Sequence, residues 1–419
     1  MAMNNAGISS GGKIRRAGFF WNAVYAGLNA VQPVILLFAV SRTHDLPTAG
    51  IFTIALAIGN LAAVISRYGL QNYQVTDVRE QFAFRDYFLS RIISAAGTAL
   101  LLLGYLALML FTGKYGTEKT LVVLEVILLR IAGSVEEVYA SRLQQKGRLD
   151  AGARIASVRL GGSTLVIFAA LWVIPSVPLC LLLGLAAAVL ADIALIPPAR
   201  KYADFSLSGM NPEAAKRLLK TGLPLCAGLA LHNYAGNAPK YLVDLYLSDE
   251  LQAVCGYIMM PVSALILLNF LIMQPAVRGL GDAWNTDRPA FRQKVVRHML
   301  FIAALTAVMI VAGCRIGLPV LSGLYGVDLR PYQKEFMILV AGGALFTVSS
   351  YQIVLLTTMR RQRGVLWGCG AAVLVYLALG GTVSRQAGFT GACVLYVAAN
   401  LLMAAVFLLF LLRRENLSE

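Results

Sequence analysis

The sequence predicts an all-α, multi-pass membrane protein, and three observations carry that prediction. Hydrophobic residues make up 58% of the 419 positions, charged residues only 14%, and the mean hydropathy is +0.70. Apolar runs of about 20 residues, long enough to cross a bilayer as a helix, recur from end to end. The polar stretches between them are short, which leaves no segment for a separate soluble domain.

Taken in order, these runs give about twelve spans, near 18–41, 48–70, 84–112, 118–141, 152–174, 177–198, 219–247, 250–276, 294–317, 334–358, 364–384 and 388–412. The first follows the polar start "MAMNNAGISSGGKIRR". No small-residue cleavage site and soluble domain follow it, so it reads as a retained helix and not as a signal peptide. It carries Asn22, Asn29 and Gln32 ahead of Pro33. Span two holds Arg67 and span three Arg91. Span four holds Glu125, Arg130, Glu136 and Glu137, span five Arg159, and span six Asp192. The connector "ARKYADFSLSGMNPEAAKR" falls mid-chain and divides an N-terminal six-helix bundle, 1–198, from a linker, 199–218, and a C-terminal six-helix bundle, 219–419. Span seven opens the second half with His232, Asn233, Asn237, Pro239, Lys240 and Asp244.

Charge orients the spans. With the N-terminus and every even-numbered loop on the cytoplasmic side, most of the 36 Lys and Arg fall there. Examples are Arg15 and Arg16; Arg142, Lys146, Arg148 and Arg154; Arg200, Lys201, Lys216 and Arg217; Arg288, Arg292 and Arg297; Arg360, Arg361, Arg363, Arg413 and Arg414. This asymmetry puts both termini in the cytoplasm. The net charge of +15 is then a topology signal and an attraction to anionic headgroups, spread over many loops and not gathered into a nucleic-acid-binding face.

An internal repeat runs through the chain. A shift of 206 positions places Pro33 on Pro239, Gly50 on Gly256 and Arg91 on Arg297, and a few insertions later Tyr115–Gly116 meets Tyr325–Gly326. Duplication of a six-helix unit gives two like-oriented, pseudo-symmetric bundles, the arrangement of transporters that rock about a central site. Spans one and seven become polar helices broken at Pro33 and Pro239, facing a pathway.

A charge at mid-membrane costs about 2.5–3.5 kcal/mol on insertion scales, so it persists where it meets water or a partner. Arg130 is the deepest and marks a hydrated cavity. Arg67 and the Glu136/Glu137 pair are intermediate. Arg91, Arg159 and Asp192 lie a turn or two from the cytoplasmic face, where snorkelling and function are both open. Lys240 and Asp244 share a helix face; a structural ion pair and a pathway lining are both open for them. For His232 a hydrogen-bonded bundle histidine stands beside a proton carrier.

Several chemistries fall away. No G-x-x-x-x-G-K-[ST] motif is present, since "GGKIRR" and "FTGKYG" do not match it. The six cysteines are scattered without a C-x-x-C, and three histidines lack ligand spacing, so neither a metal nor another cofactor is expected. Glu136 and Glu137 are adjacent, point about 100° apart on a helix, and make a poor acid/base pair. An enzyme is not expected.

Three stretches resemble a known family. "GLQNYQVTDVREQFAFRDYFLSRII" (69–93) is similar to the second loop and third helix of Wzx-type oligosaccharide flippases, and "EEVYASRLQQKGRLDAGARI" (136–155) to their connection between helices four and five. "NAPKYLVDLYLSDELQAVCGYIMMP" (237–261) is similar to their helices seven and eight. These flippases belong to the multidrug/oligosaccharidyl-lipid/polysaccharide (MOP) exporter superfamily, and the resemblance covers essentially the whole chain. It implies transport of a polyprenyl-diphosphate-linked oligosaccharide across the bacterial cytoplasmic membrane, for capsule, lipopolysaccharide or another surface polysaccharide, beside a polysaccharide polymerase and glycosyltransferases. On that reading Arg67, Arg130 and Lys240 contact the diphosphate, Arg being favoured for its bidentate fork. Asn29, Gln32, His232, Asn233 and Asn237 meet sugar hydroxyls, and Asp244 or Glu137 couples an ion or holds the basic groups in place. A drug/cation antiporter of the same superfamily is one alternative, though it would favour a net acidic pocket. A non-transporting membrane scaffold or a polysaccharide polymerase is the other.

Overall fold

The computed structural model describes residues 2–77, 79–359, 361 and 363–412, and within them all side chains except those of 2–13, 270–279, 281–282 and 285. Arg360, Arg413 and Arg414 lie outside the described residues. All regular structure among them is helical. The α-helices are α1 (Ala2–Thr43), α2 (Leu46–Arg67), α3 (Leu70–Thr76), α4 (Phe84–Phe111), α5 (Thr117–Gln145), α6 (Leu149–Leu171) and α7 (Val177–Leu195), followed by α8 (Pro212–Tyr246), α9 (Asp249–Ile258), α10 (Met260–Thr286), α11 (Arg288–Ala312), α12 (Leu318–Tyr325), α13 (Gln333–Thr358) and α14 (Arg363–Leu412).

Nine stretches of the described residues are long and apolar enough to cross a membrane, and the protein is a multi-pass membrane protein. The twelve expected spans are compatible with them. Helices α5 and α8, at 29 and 35 residues, have the length, about 43 and 52 Å at 1.5 Å per residue. Their polar and ionisable residues keep them out of the apolar set. The last stretch, α14, has 50 residues and turns at Gly388 (φ 58°, ψ −143°), a conformation closed to side-chain-bearing residues, so it makes two passes.

The ends of the helices follow local chemistry. Ser176, Ser248 and Asp287 each accept a backbone N–H from the first turn of α7, α9 and α11. Asn211 Oδ1 accepts from Glu213 N (3.0 Å) and Ala214 N (3.2 Å), with Pro212 next to it, so α8 starts inside the stretch expected as a connector. Helix α1 starts at Ala2, well ahead of the apolar run. The expected eighth span divides at Met259, where Pro261 enters the first turn of α10. The ninth continues through a π-helical turn, Gly313–Gly317, into α12.

Spans one and seven are not broken helices: α1 continues through Pro33, and α8 is helical from Pro212 to Tyr246 with Pro239 buried inside it.

The chain forms two compact units. The first comprises Met1–Asp45 and Ala55–Ala230, the second Leu46–Ile54 and Leu231–Glu419. In the first, one end is closed by an aromatic core that includes Phe84, Tyr87, Phe205 and Leu218. The loop beside it is built on Asp77, whose carboxylate accepts from Gln81 N, Phe82 N and Tyr87 Oη. In the second unit, the two glycines matched by the 206-residue shift lie at one crossing. A Cβ on Gly50 would stand 1.8 Å from the Asp249 carbonyl oxygen, and one on Gly256 2.4 Å from Thr53 Oγ1. The absent side chains let α2 and α9 approach. Arg91 and Arg297 do not share an environment, the first being fully buried and the second exposed. The shift therefore matches positions in helix packing and not side-chain chemistry.

Candidate functional site

In the first unit, five helices bring ionisable groups together, and the local cause begins at the end of α2. Tyr68 (φ 55°) and Gly69 (φ 69°) both adopt the left-handed conformation and stop the helix just after Arg67. A carbonyl in the last turn of a helix lacks an intrahelical donor. That of Ser66 accepts from Arg91 Nη1 (3.0 Å) and Ser94 Oγ (2.7 Å) of α4. Ser66 and Ser134 hydroxyls also share a short hydrogen bond, which ties α2 to α5.

Glu137 of α5 sits between two arginines. Its Oε2 accepts from Arg91 Nη2 at 3.1 Å, and its Oε1 lies 3.1 Å from Arg67 Nε. The two halves of this bridge differ. The Arg91 side chain is 0% exposed, whereas that of Arg67 is 39% exposed. The Arg67 contact is an ion pair without the alignment of a hydrogen bond. Arg91 is thus the fixed member and Arg67 the member at the rim. Tyr25 of α1 stands beside Arg67.

Arg159 of α6 and Asp192 of α7 form a second pair, 2.9 Å from Nε to Oδ2, and Arg159 Nη2 also donates to the Leu129 carbonyl. Gly133 makes room, since a Cβ there would stand 3.0 Å from Arg159 Nη1. Arg91, Arg159 and Asp192 therefore do not snorkel. They are buried or half-buried and paired inside the unit.

Arg130 is half-buried on α5, where Gly59 of α2 leaves space for its stem. Its Nε is buried and has no hydrogen-bond partner among the described residues. Glu136 is buried, and its Oε1 is likewise without a hydrogen-bond partner there. The group as a whole holds Arg67, Arg91, Arg130 and Arg159 against Glu136, Glu137 and Asp192. It has a formal excess of one positive charge in a region expected to lie in the membrane. Gln32 of α1 is buried and donates from Nε2 to Thr164 Oγ1 (2.9 Å), while Asn29 is exposed.

The second unit carries its own polar row on α8. His232 stacks on Phe346 with centroids 4.3 Å apart, and its Nε2 lies 3.2 Å from Ser350 Oγ. Asn237 Nδ2 donates to the Asn233 carbonyl (3.1 Å) and its Oδ1 accepts from Lys240 Nζ (3.4 Å). The bond shown for the Lys240 ammonium thus runs back one turn to an amide. Asn233 Oδ1 is buried without a hydrogen-bond partner among the described residues, and Asp244 is half-buried. Tyr234 and Tyr241 stack at 4.8 Å on the same helix.

The sequence singled out Arg67, Arg130 and Glu137, and the structure brings them into one unit. It missed the parts played by Tyr25, Ser66 and Ser94, whose residue types carry no signal at that spacing. The histidines and cysteines form no group that could hold a metal among the described residues.

No family model matches the chain, and no curated protein does. Solved structures do. The lipid II flippase MurJ in an inward closed conformation superposes with a TM-score of 0.65 at 14% identity, over 94% of this chain and 86% of that one. An inward-facing multidrug resistance MATE family transporter of the MOP superfamily gives 0.62 at 15%, over 94% of both chains. A MOP superfamily transporter from Pyrococcus furiosus gives 0.59 at 13%, over 95% and 94%. At such identities the likeness is one of fold: this chain has the all-helical fold of the MOP superfamily transporters.

Proposed function

We propose that the protein is a Wzx-type flippase, which moves a polyprenyl-diphosphate-linked oligosaccharide across the bacterial cytoplasmic membrane for surface polysaccharide synthesis. One observation carries the reading: Arg130 stands half-buried with no carboxylate partner among the described residues, in a cluster whose other arginines each have one. A partly desolvated cation without a counter-charge is costly, and a diphosphate that sheds its hydration shell is a ligand that offsets that cost. Arg67, at the rim, swings from Glu137 to the same phosphate, while Arg91 stays on the carboxylate and keeps it in place. Asn29, on the same unit, supplies a donor for a sugar hydroxyl, and transport proceeds by alternating access. The fold likeness to flippases and drug transporters supports a transporter, and the excess positive charge favours an anionic cargo over a cationic one.

The test is transport in proteoliposomes with a labelled lipid-linked oligosaccharide, read by its accessibility at each leaflet. Arg130→Ala lowers the rate at least about tenfold, the loss expected for a hydrogen bond to a charged group, and Arg130→Lys recovers part of it. Uptake of a lipophilic cation with no movement of the lipid-linked glycan would favour a drug antiporter. Glycan lengthening without a change of leaflet would favour a polymerase.

A further inference from the structure

A cleft of about 430 Å³ opens in the second unit between α10, α11, α13 and α14, within the range of about 300–1,000 Å³ that ligand sites occupy. It lies far along the chain from Arg130, Lys240 and the other polar residues used above. Its walls include Phe291, Val295, Leu355 and Leu408, of which Leu355 also belongs to a small core with Leu280 and Tyr351. Among the described residues, two cations and no carboxylate line it. Arg288 is exposed, with its Cζ over the Trp284 ring, 3.3 Å from the centroid. Arg361 Nη1 donates to the carbonyls of Phe410 (2.7 Å) and Leu411 (3.1 Å), which fixes a second positive charge where α14 ends. The nearby Asp287 carboxylate is occupied as the cap of α11.

We infer that this cleft is a binding site for an anionic phospholipid, with one acyl chain on the apolar walls and the headgroup phosphate on Arg288. Charge complementarity selects the occupant. A free anion gains nothing from the Phe291 and Leu408 walls, and a zwitterionic lipid brings a cation against two arginines. The basic residues that surround the site on α11 and before α14 fall on the side expected to be cytoplasmic, where anionic headgroups attract them. The inference does not depend on what the protein transports.

Trp284 provides the probe. In a full-length variant that keeps only this indole (W21F, W172F and W367F), phosphatidylglycerol with brominated chains is titrated against brominated phosphatidylcholine in detergent, and quenching is read. Phosphatidylglycerol quenches Trp284 at a concentration about tenfold lower, and Arg288→Gln weakens it about fivefold, the usual effect of one basic residue at an anionic surface. Arg288→Lys keeps most of the preference, and Val295→Phe, which fills the cleft, removes the quenching by both lipids while the protein still elutes as a folded species. Equal quenching by the two lipids, or no change with Arg288→Gln, overturns the inference. So does displacement of phosphatidylglycerol by an equal concentration of a polyprenyl phosphate, which would hand the cleft to the transported lipid.

Discussion

Single side chains decide most of what the first unit does. Glu137 neutralises Arg91, which has no route to water, and holds Arg67, which does. Removing one member of a buried pair strands the other, at about 3–5 kcal/mol. Glu137→Gln is therefore expected to lower the melting temperature in detergent sharply, while R91M/E137L, which removes both buried charges, recovers most of the loss. A melting curve for E137Q that overlays the wild type would show that Arg91 has another partner. At the loop between α3 and α4, the Glu80 carboxyl is held below the usual range by a hydrogen bond from Lys146, helped by Arg142. A lowered carboxylate contributes stability that is full above its unfolded value and is lost as the pH falls through its folded value. The difference in melting temperature between wild type and Glu80→Gln is thus expected to hold at neutral pH and to fade as the pH falls from the ordinary carboxylate range through the lowered Glu80 value. It is small, under about 1 kcal/mol, because Glu80 is 39% exposed and water screens the pair. Arg67, Arg130 and Glu137 were legible in the sequence, because an ionisable residue inside an apolar run is costly and needs a reason. Which arginine pairs with which carboxylate was not, because pairing between α2, α4 and α5 depends on helix rotation that hydropathy does not encode.

Among the elements, legibility follows how a helix is stabilised. Helices that are apolar all round, such as α7 and α13, were placed to within a few residues, since lipid and core ask for the same composition. Helices α5 and α8 were found despite their charge because the apolar run continued on either side of it. The breaks at Pro33 and Pro239 were wrong for a physical reason: a proline removes one N–H and one hydrogen bond, and a long helix packed by its neighbours tolerates that loss. Gly388, where the sequence already divides the last two spans, is where the chain does turn, because only glycine takes that φ/ψ without strain. The α2–α9 crossing gives the element-scale prediction. A Cβ at Gly50 would meet the backbone of Asp249, which cannot rotate away, while one at Gly104 meets nothing within 4 Å. Gly50→Ala is expected to reduce the folded yield and melting temperature markedly, and Gly104→Ala to leave both unchanged. Equal behaviour of the two variants would mean that α2 and α9 do not cross at this glycine.

For the molecule as a whole, orientation in the membrane follows from charge alone, and it sets which leaflet each site serves. The loops after α5 and α7 carry Arg148 and Lys201, and α11 and α14 open with Arg288 and Arg363, whereas the intervening loops carry few cations. Translocating a cationic loop against the membrane potential is unfavourable, so the richer side is expected in the cytoplasm. The fold likeness to transporters is indifferent to this, since two inverted placements of one helical fold have the same superposition. Single cysteines introduced into a protein stripped of its six native ones report the answer. With this orientation, a membrane-impermeant maleimide added to intact cells labels a cysteine at Lys114, in the loop between α4 and α5. It labels cysteines at Arg148 and Lys201 only after the membrane is opened. Full turnover of the labelled variants in the leaflet assay shows that the fold is kept. The opposite labelling pattern would put the Arg288 cleft in the outer leaflet, remove the charge argument for its lipid, and reverse the direction of the transport proposed for this chain.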